Sequence, residues 1–245
     1  MRIRHALVPL VLAGTLLAGC GGDGGGGDGA APKPKSTAPT DNGVAALSPN
    51  EILDKATAAL ESAKSYRVKG DIDTDGQKMS LDFKISGKDL LGSITSEGAT
   101  IELLAVGGQN YIRPDEAFWK ANGGDAGATM AQLMGDRWAR LSTTDKNFSQ
   151  LFKITDPSEL LKPKGQLSKG ETKQVTGGNA VGIIESGTDG GTLWVATTGE
   201  PYPLMLEGPK GEGQLTFSDF GATFSDVVAP ADTEVIDLDK LRRGN

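Results

Sequence analysis

The stretch SYRVKGDIDTDGQKMSLDFKIS, residues 65–86, decides the fold. Tyr66, Val68, Gly70 and Ile72 alternate with Arg67, Lys69, Asp71 and Asp73. Past a turn at Thr74-Asp75-Gly76-Gln77, Met79, Leu81, Phe83 and Ile85 alternate with Ser80, Asp82, Lys84 and Ser86. A period of two with one apolar side marks a strand with one face on a core and the other in water. Two such runs across a short polar turn make an antiparallel hairpin.

Just upstream the period is that of a helix. Ser48-Pro49-Asn50-Glu51 supplies an N-cap serine, a proline at the first helical position and a glutamate at the third. Ile52, Leu53, Ala56, Ala59, Leu60 and Ala63 then form one narrow, alanine-rich stripe suited to close packing on a sheet. Downstream, strand patterns recur near 89–96, 99–106 and 109–113. They resume near 167–176, 179–186, 191–198, 202–208 and 212–219, with glycine-containing turns between several of them. The segment 115–165 is different. It carries Phe118-Trp119, Met130, Leu133, Met134, Trp138, Phe148, Leu151, Phe152, Leu160 and Leu161 in short helical fragments, with a helix start at Asp156-Pro157-Ser158-Glu159 and a short strand at 138–141. The tail from Ala229 reads as a docked end or a short last helix. The expected architecture is α+β: a strongly curved antiparallel sheet of about ten strands, a half-barrel, with helices over its concave face.

The N-terminus carries a different message. Arg2, Arg4 and His5 precede an apolar run from Ala6 to Leu17, which is the layout of a secretory signal. The run is too short to span a bilayer. It ends in Leu17-Ala18-Gly19-Cys20, and Cys20 is the only cysteine in 245 residues. This run resembles the bacterial lipobox. The resemblance implies that the Cys20 thiol receives diacylglycerol, that residues 1–19 are removed, and that the chain is held outside the cytoplasmic membrane. Two or more acyl chains would hold it stably. An ordinary cleaved signal with an incidental cysteine is the plain alternative. Residues 20–47, rich in Gly, Asp, Pro, Lys, Ser and Thr, read as a tether that cannot bury a core. Residues 48–245 read as one domain.

Composition removes several functions. Cleavage would take away the one histidine, and lipidation would block the one cysteine. That excludes histidine general bases, Ser-His-Asp and Cys-His arrangements, zinc sites and disulfides. The formal charge is −7, with no basic cluster among aromatics, so nucleic acid is not an expected partner. No catalytic residue, metal or cofactor is expected, and the chain reads as no enzyme.

Further residues resemble a known family. They are Ser65-Tyr66-Arg67-Val68 after the helix, Gly108-Gln109-Asn110-Tyr111-Ile112 ahead of Asp136-Arg137-Trp138-Ala139-Arg140-Leu141, and the run from Thr192 to Leu204 with Phe217-Ser218-Asp219-Phe220-Gly221 beyond it. With the lipobox and tether, this order resembles the LppX/LprG-type cell-envelope lipoproteins with a LolA-like half-barrel. That resemblance implies an apolar cavity for a lipid or lipid-linked glycan, carried or transferred at the membrane.

Leu81, Phe83, Ile85, Leu103, Trp194, Val195, Leu204, Leu206, Leu215 and Phe217 are the candidates for a cavity lining, or for an ordinary filled core. Trp119 and Trp138 are candidates for its rim, or anchors for the middle helices. Three polar patterns have plainer readings. Asp71-x-Asp73-x-Asp75-Gly76 with Asp82 matches part of a calcium loop, but its flanks alternate like a hairpin. Asp115 and Glu116 form an acid pair of a kind common in an acidic chain. Asn147-Phe148-Ser149 is a glycosylation sequon without expected meaning in a bacterial protein. The expected function is thus a lipid-anchored carrier. The alternative is a protein-interaction or sensor domain, with another envelope protein as its partner and no ligand cavity.

Overall fold

The computed structural model describes residues 40–74, 76–142, 150–187 and 190–237. All of them belong to the compact unit Pro39–Asn245. Helix α1 spans Pro49–Ala63. Its start is set by reciprocal bonds: the Ser48 hydroxyl accepts from the Glu51 N–H, and the Glu51 carboxylate accepts from the Ser48 N–H at 2.9 Å. It stops where Lys64 turns left-handed (φ 63°) and its carbonyl accepts from the Gly87 N–H at 2.6 Å. Ile52, Ala56, Ala59 and Leu60 are its buried face.

Six strands follow the helix: β1 (Ser65–Thr74), β2 (Gln77–Ser86), β3 (Asp89–Ser96), β4 (Ala99–Val106), β5 (Gln109–Pro114) and β6 (Trp138–Arg140). They pair antiparallel in sequence order. Helices α2 (Glu116–Asn122) and α3 (Gly127–Met134) fill the gap between β5 and β6. A second run, β7 (Leu167–Val175), β8 (Gly178–Glu185), β9 (Thr192–Ala196), β10 (Pro203–Glu207) and β11 (Gly213–Ser218), also pairs in order. The two runs join because β11 returns to β1, in register from Arg67 opposite Ser218 to Ile72 opposite Gly213. At this seam the backbones approach closely. A Cβ on Gly70 would stand 2.0 Å from the Gln214 carbonyl oxygen, and one on Gly213 2.2 Å from that of Asp71.

A last short strand, β12 (Val235–Asp237), completes one curved, unclosed sheet in the order β12-β6-β5-β4-β3-β2-β1-β11-β10-β9-β8-β7. The sequence expectation of an α+β half-barrel holds, with twelve strands among the described residues rather than about ten. The chain passes from β6 to β7, near opposite edges, through a 3-10 turn (Gln150–Thr155) and helix α4 (Pro157–Leu160), which packs against α1. Phe152 and Leu161 are buried there beside Ile52, Ala56 and Leu60.

The tail takes the first of its two expected forms, a docked end rather than a short last helix, because β12 runs parallel to β6. Val235 rests on the cluster of Leu104, Tyr111 and Trp138, and Ile236 on the main core. Two β-branched residues facing opposite sides suit a strand better than a helix. Residues 41–47, assigned to the tether by composition, are docked. Asp41 bridges Thr198, the Asn42 N–H donates to the Thr197 carbonyl at 2.9 Å, and Val44 is buried. Polar Asn42 makes the attachment through its amide, donating to the carbonyls of Ala196 and Gly199 at 3.0 Å each. No described helix is long and apolar enough to cross a membrane.

Candidate functional site

Strand alternation points one side chain in two toward the helices. Phe83, Ile85, Leu103, Val195, Leu215 and Phe217 lie in the main core, and half-buried Leu81 and Leu206 pack against it. Trp194 and Leu204 lie apart from those eight, in a smaller cluster with Ala180, Ala196 and Met205. The cause is local. Leu193-Trp194-Val195 is continuously apolar, and the β9–β10 register shifts between Pro203 and Met205. The two neighbours of Trp194 point inward and Trp194 points out. Its indole N–H donates to Glu207 Oε2 at 2.9 Å, and Lys173 Nζ sits 3.9 Å above its ring.

The middle of the concave face is occupied by the protein's own side chains. Phe83, Ile85, Leu103 and Val195 are each at most 2% exposed, in one core with Ile52, Ala56 and Leu60 of α1. Space remains at the margins. One groove, about 270 Å³, lies between α1, α4 and the ends of β7–β10. Its walls are Leu53, Leu160, Leu161, Leu167, Ile183, Leu193, Leu206 and Pro209, with Lys162, Lys164 and Glu185 at the rim. Glu185 is engaged, accepting from the backbone N–H groups of Lys164 and Gly165. A second groove, about 410 Å³, lies at the other end of α1 beside Leu60, Lys64, Tyr66, Lys88 and Pro157. A third, about 580 Å³, is polar, lined by Thr100, Glu102, Arg113, Asp115, Glu116 and Asp136 under α2 and α3. Of these three, the first two have the apolar walls that a hydrocarbon chain requires.

Leu53, Leu160, Leu161, Leu167, Ile183 and Leu193 line the first groove without having stood out as cavity candidates. Leu53 offered a signal: it sits one position round from Ile52, on the flank of the helix stripe rather than its centre. Leu160-Leu161 offered another, as the apolar end of the helix that Asp156-Pro157 opens.

The polar patterns resolve into structural roles. Asp115 caps α2: Oδ1 accepts from the Phe118 N–H at 2.7 Å and Oδ2 from the Thr100 N–H at 2.9 Å. Asp71 and Asp82 lie on paired strands. Asp71 accepts from the Ser80 hydroxyl at 2.5 Å, and Asp82 receives both Arg67 Nε (2.7 Å) and a terminal Arg67 nitrogen (2.6 Å). The Arg67 bonds hold the Asp82 carboxyl below the usual carboxylate range, against the effect of partial burial. Asp75 and residues 147–149 lie outside the described residues. Trp138 is buried on the other side of the sheet with Arg113 4.4 Å above its ring, while Trp119 borders the polar groove. Burial, and to a lesser degree the Asp156 charge, pushes the Tyr66 phenol above its ordinary pKa. Cys20 and the Leu17-Ala18-Gly19 run before it lie outside the described residues.

No protein-family model matches the chain, and no curated protein matches it. Several solved structures are similar to it. An uncharacterized conserved protein from Thermus thermophilus is 11% identical, with 77% of this chain and 98% of that one covered and a TM-score of 0.43. The Mycobacterium tuberculosis lipoprotein LppX is 15% identical over 76% of this chain and 99% of that one, TM-score 0.47. MucB is 15% identical over 75% of this chain and 62% of that one, TM-score 0.38.

Proposed function

We propose that the protein is a non-enzymatic lipoprotein of the bacterial envelope, anchored through acylated Cys20, that shields part of a lipid or lipid-linked glycan for carriage or transfer. The supporting observation is the groove between α1, α4 and β7–β10, which leucine, isoleucine and proline line together with Lys162, Lys164, Glu185 and Glu207. At about 270 Å³ it is near the lower limit of small-molecule sites, which favours one hydrocarbon chain over several. Each methylene buried there stabilises the complex by about 0.8 kcal/mol. Lys162 and Lys164 at the rim can meet a polar head.

Native mass spectrometry of the full chain taken from its own membranes tests this reading. A bound amphiphile is expected, and Leu53→Glu, which puts a carboxylate in the apolar wall, should reduce its occupancy at least tenfold. Protein that leaves the membrane with no lipid, in both forms, would overturn the carrier reading. The filled middle of the concave face favours a second reading, a tethered interaction or sensor domain, and that is the reading a lipid-free result would leave.

A further inference from the structure

The polar groove under α2 and α3 is the largest of the three, about 580 Å³, within the range of about 300–1,000 Å³ usual for small-molecule sites. Its floor is strand. Thr100, Glu102 and Arg113 alternate with the core residues Ile101, Leu103 and Ile112, so they point to the outer side of the sheet. Its roof is helix, with half-buried Trp119 on α2, Ala131 and Gln132 on α3, and Asp136 just beyond. The two helices are pressed together, for a Cβ on Gly127 would stand 2.3 Å from the Trp119 carbonyl oxygen. Two carboxylates of the groove are already fixed. Asp115 has both oxygens on backbone N–H groups, and Glu102 accepts from Arg113 Nε at 2.6 Å. Three groups are left over: the terminal nitrogens of Arg113, the Gln132 amide and the Asp136 carboxylate make no hydrogen bond among the described residues. All three are within reach of a ligand, because the Arg113 side chain is 34% exposed and Gln132 and Asp136 are exposed.

We propose that this groove binds a saccharide, neutral or amino-substituted, whose ring hydroxyls meet Arg113, Gln132 and Asp136 while its C–H face lies against Trp119 and Ala131. A hydroxyl both donates and accepts, so it suits a site where the donors of Arg113, the acceptors of Asp136 and the mixed amide of Gln132 converge. The half-buried ring of Trp119 and the methyl of Ala131 add the apolar contact that the C–H side of a sugar can use. The charge balance excludes anionic sugars. Glu102, Asp115, Glu116 and Asp136 face Arg113 alone within the groove, and only Glu116 has a further cation, Lys120 at 2.6 Å. A uronic carboxylate would meet that surplus of like charge. This site goes beyond the carrier reading: it lies on the outer side of the sheet, shares no wall with the groove at Leu53, and stands whether or not that groove takes a lipid.

The test is an array of neutral, amino-substituted and uronic saccharides probed with the full chain in detergent micelles. Wild type should be retained on neutral or amino saccharides and not on uronic ones. The saccharide that retains it best is then titrated calorimetrically against variants. Gln132→Ala and Asp136→Ala should each weaken binding about three- to tenfold, the worth of one or two hydrogen bonds. Their melting temperatures should not fall, since neither side chain has a protein hydrogen bond to lose. Ala131→Trp, which fills the groove, should abolish binding, and Leu53→Glu should leave it intact. Retention on no saccharide, retention on the uronic ones, or an affinity that Gln132→Ala, Asp136→Ala and Ala131→Trp all leave unchanged overturns the site. Lipid-free protein that still binds the saccharide counts against the carrier groove and leaves this one standing.

Discussion

Gly92 sits on β3 directly opposite Phe83 of β2 and Leu103 of β4, both fully buried on the concave face. The Phe83 ring covers it. A Cβ added at Gly92 would stand 2.1 Å from Phe83 Cδ1, 2.5 Å from the Asp82 carbonyl oxygen and 2.9 Å from Phe83 Cα. The ring can swing aside, but the other two atoms are backbone, so β2 and β3 must part for Gly92→Ala to fit. Overpacking a core costs about 1–3 kcal/mol when side chains can yield. A clash with backbone puts this case at the top of that range, about 3 kcal/mol. In a domain of this size each kcal/mol shifts the melting temperature by about 2–4 °C, so a drop of about 6–12 °C is expected. Thermal unfolding followed by near- and far-ultraviolet circular dichroism measures it. Phe83→Leu in the same background should recover only the part due to the ring. A Gly92→Ala protein that melts within about 2 °C of wild type, against the roughly 6 °C minimum above, would refute this account of how β2 and β3 pack.

Two further perturbations test other parts of the structure. Asp82 is held ionised by Arg67, so its bonds add stability above the ordinary carboxylate pKa of about 4 and lose it as pH falls through the depressed folded value. Both side chains are about 30% exposed, so Asp82→Asn should lower urea stability at pH 7 by about 1 kcal/mol or less. The gap between the two proteins should narrow as pH falls below the ordinary carboxylate range and Asp82 is protonated in the folded protein, and a gap of constant size across that acid range would contradict the ionic origin. Asn42→Ala removes the two bonds its amide donates to Ala196 and Gly199 and the one its oxygen accepts from the Val44 N–H. Amide exchange across residues 41–47 should accelerate while the global melting temperature stays nearly unchanged; equal protection would show that Val44 burial alone holds the segment.

Much of this architecture was legible in the sequence, and the reason is periodicity. Where polar and apolar residues alternate strictly, as in Arg67–Asp73 and Met79–Ser86, strand limits and facing follow directly. Helix α1 announced itself through Ser48-Pro49 and Glu51 in the same way. Legibility failed where every neighbour is apolar. Pro203-Leu204-Met205-Leu206 has no polar residue to say which side faces water, and a register shift there sends Leu204 away from the concave face. Pairing across long separations left no local trace either, so neither the return of β11 to β1 nor the parallel docking of β12 on β6 could be read. The grooves were hidden for a third reason. They lie where helix flanks meet strand ends, and their walls come from residues that share no period.

The meeting of β11 with β1 has a consequence for how the chain is made. The hairpin of β1 and β2 can form as soon as it emerges, since all its contacts are local. The other edge of β1 must wait for Ser218, far along the chain, to arrive opposite Arg67. Until then a nascent chain presents a bare row of amides and carbonyls, an open invitation to aggregate with its neighbours. Closure over so long a loop is intrinsically slow, so the late step of maturation is the zipping of this one pair. A cell making the protein has reason to keep it in the company of a chaperone until β11 has been made.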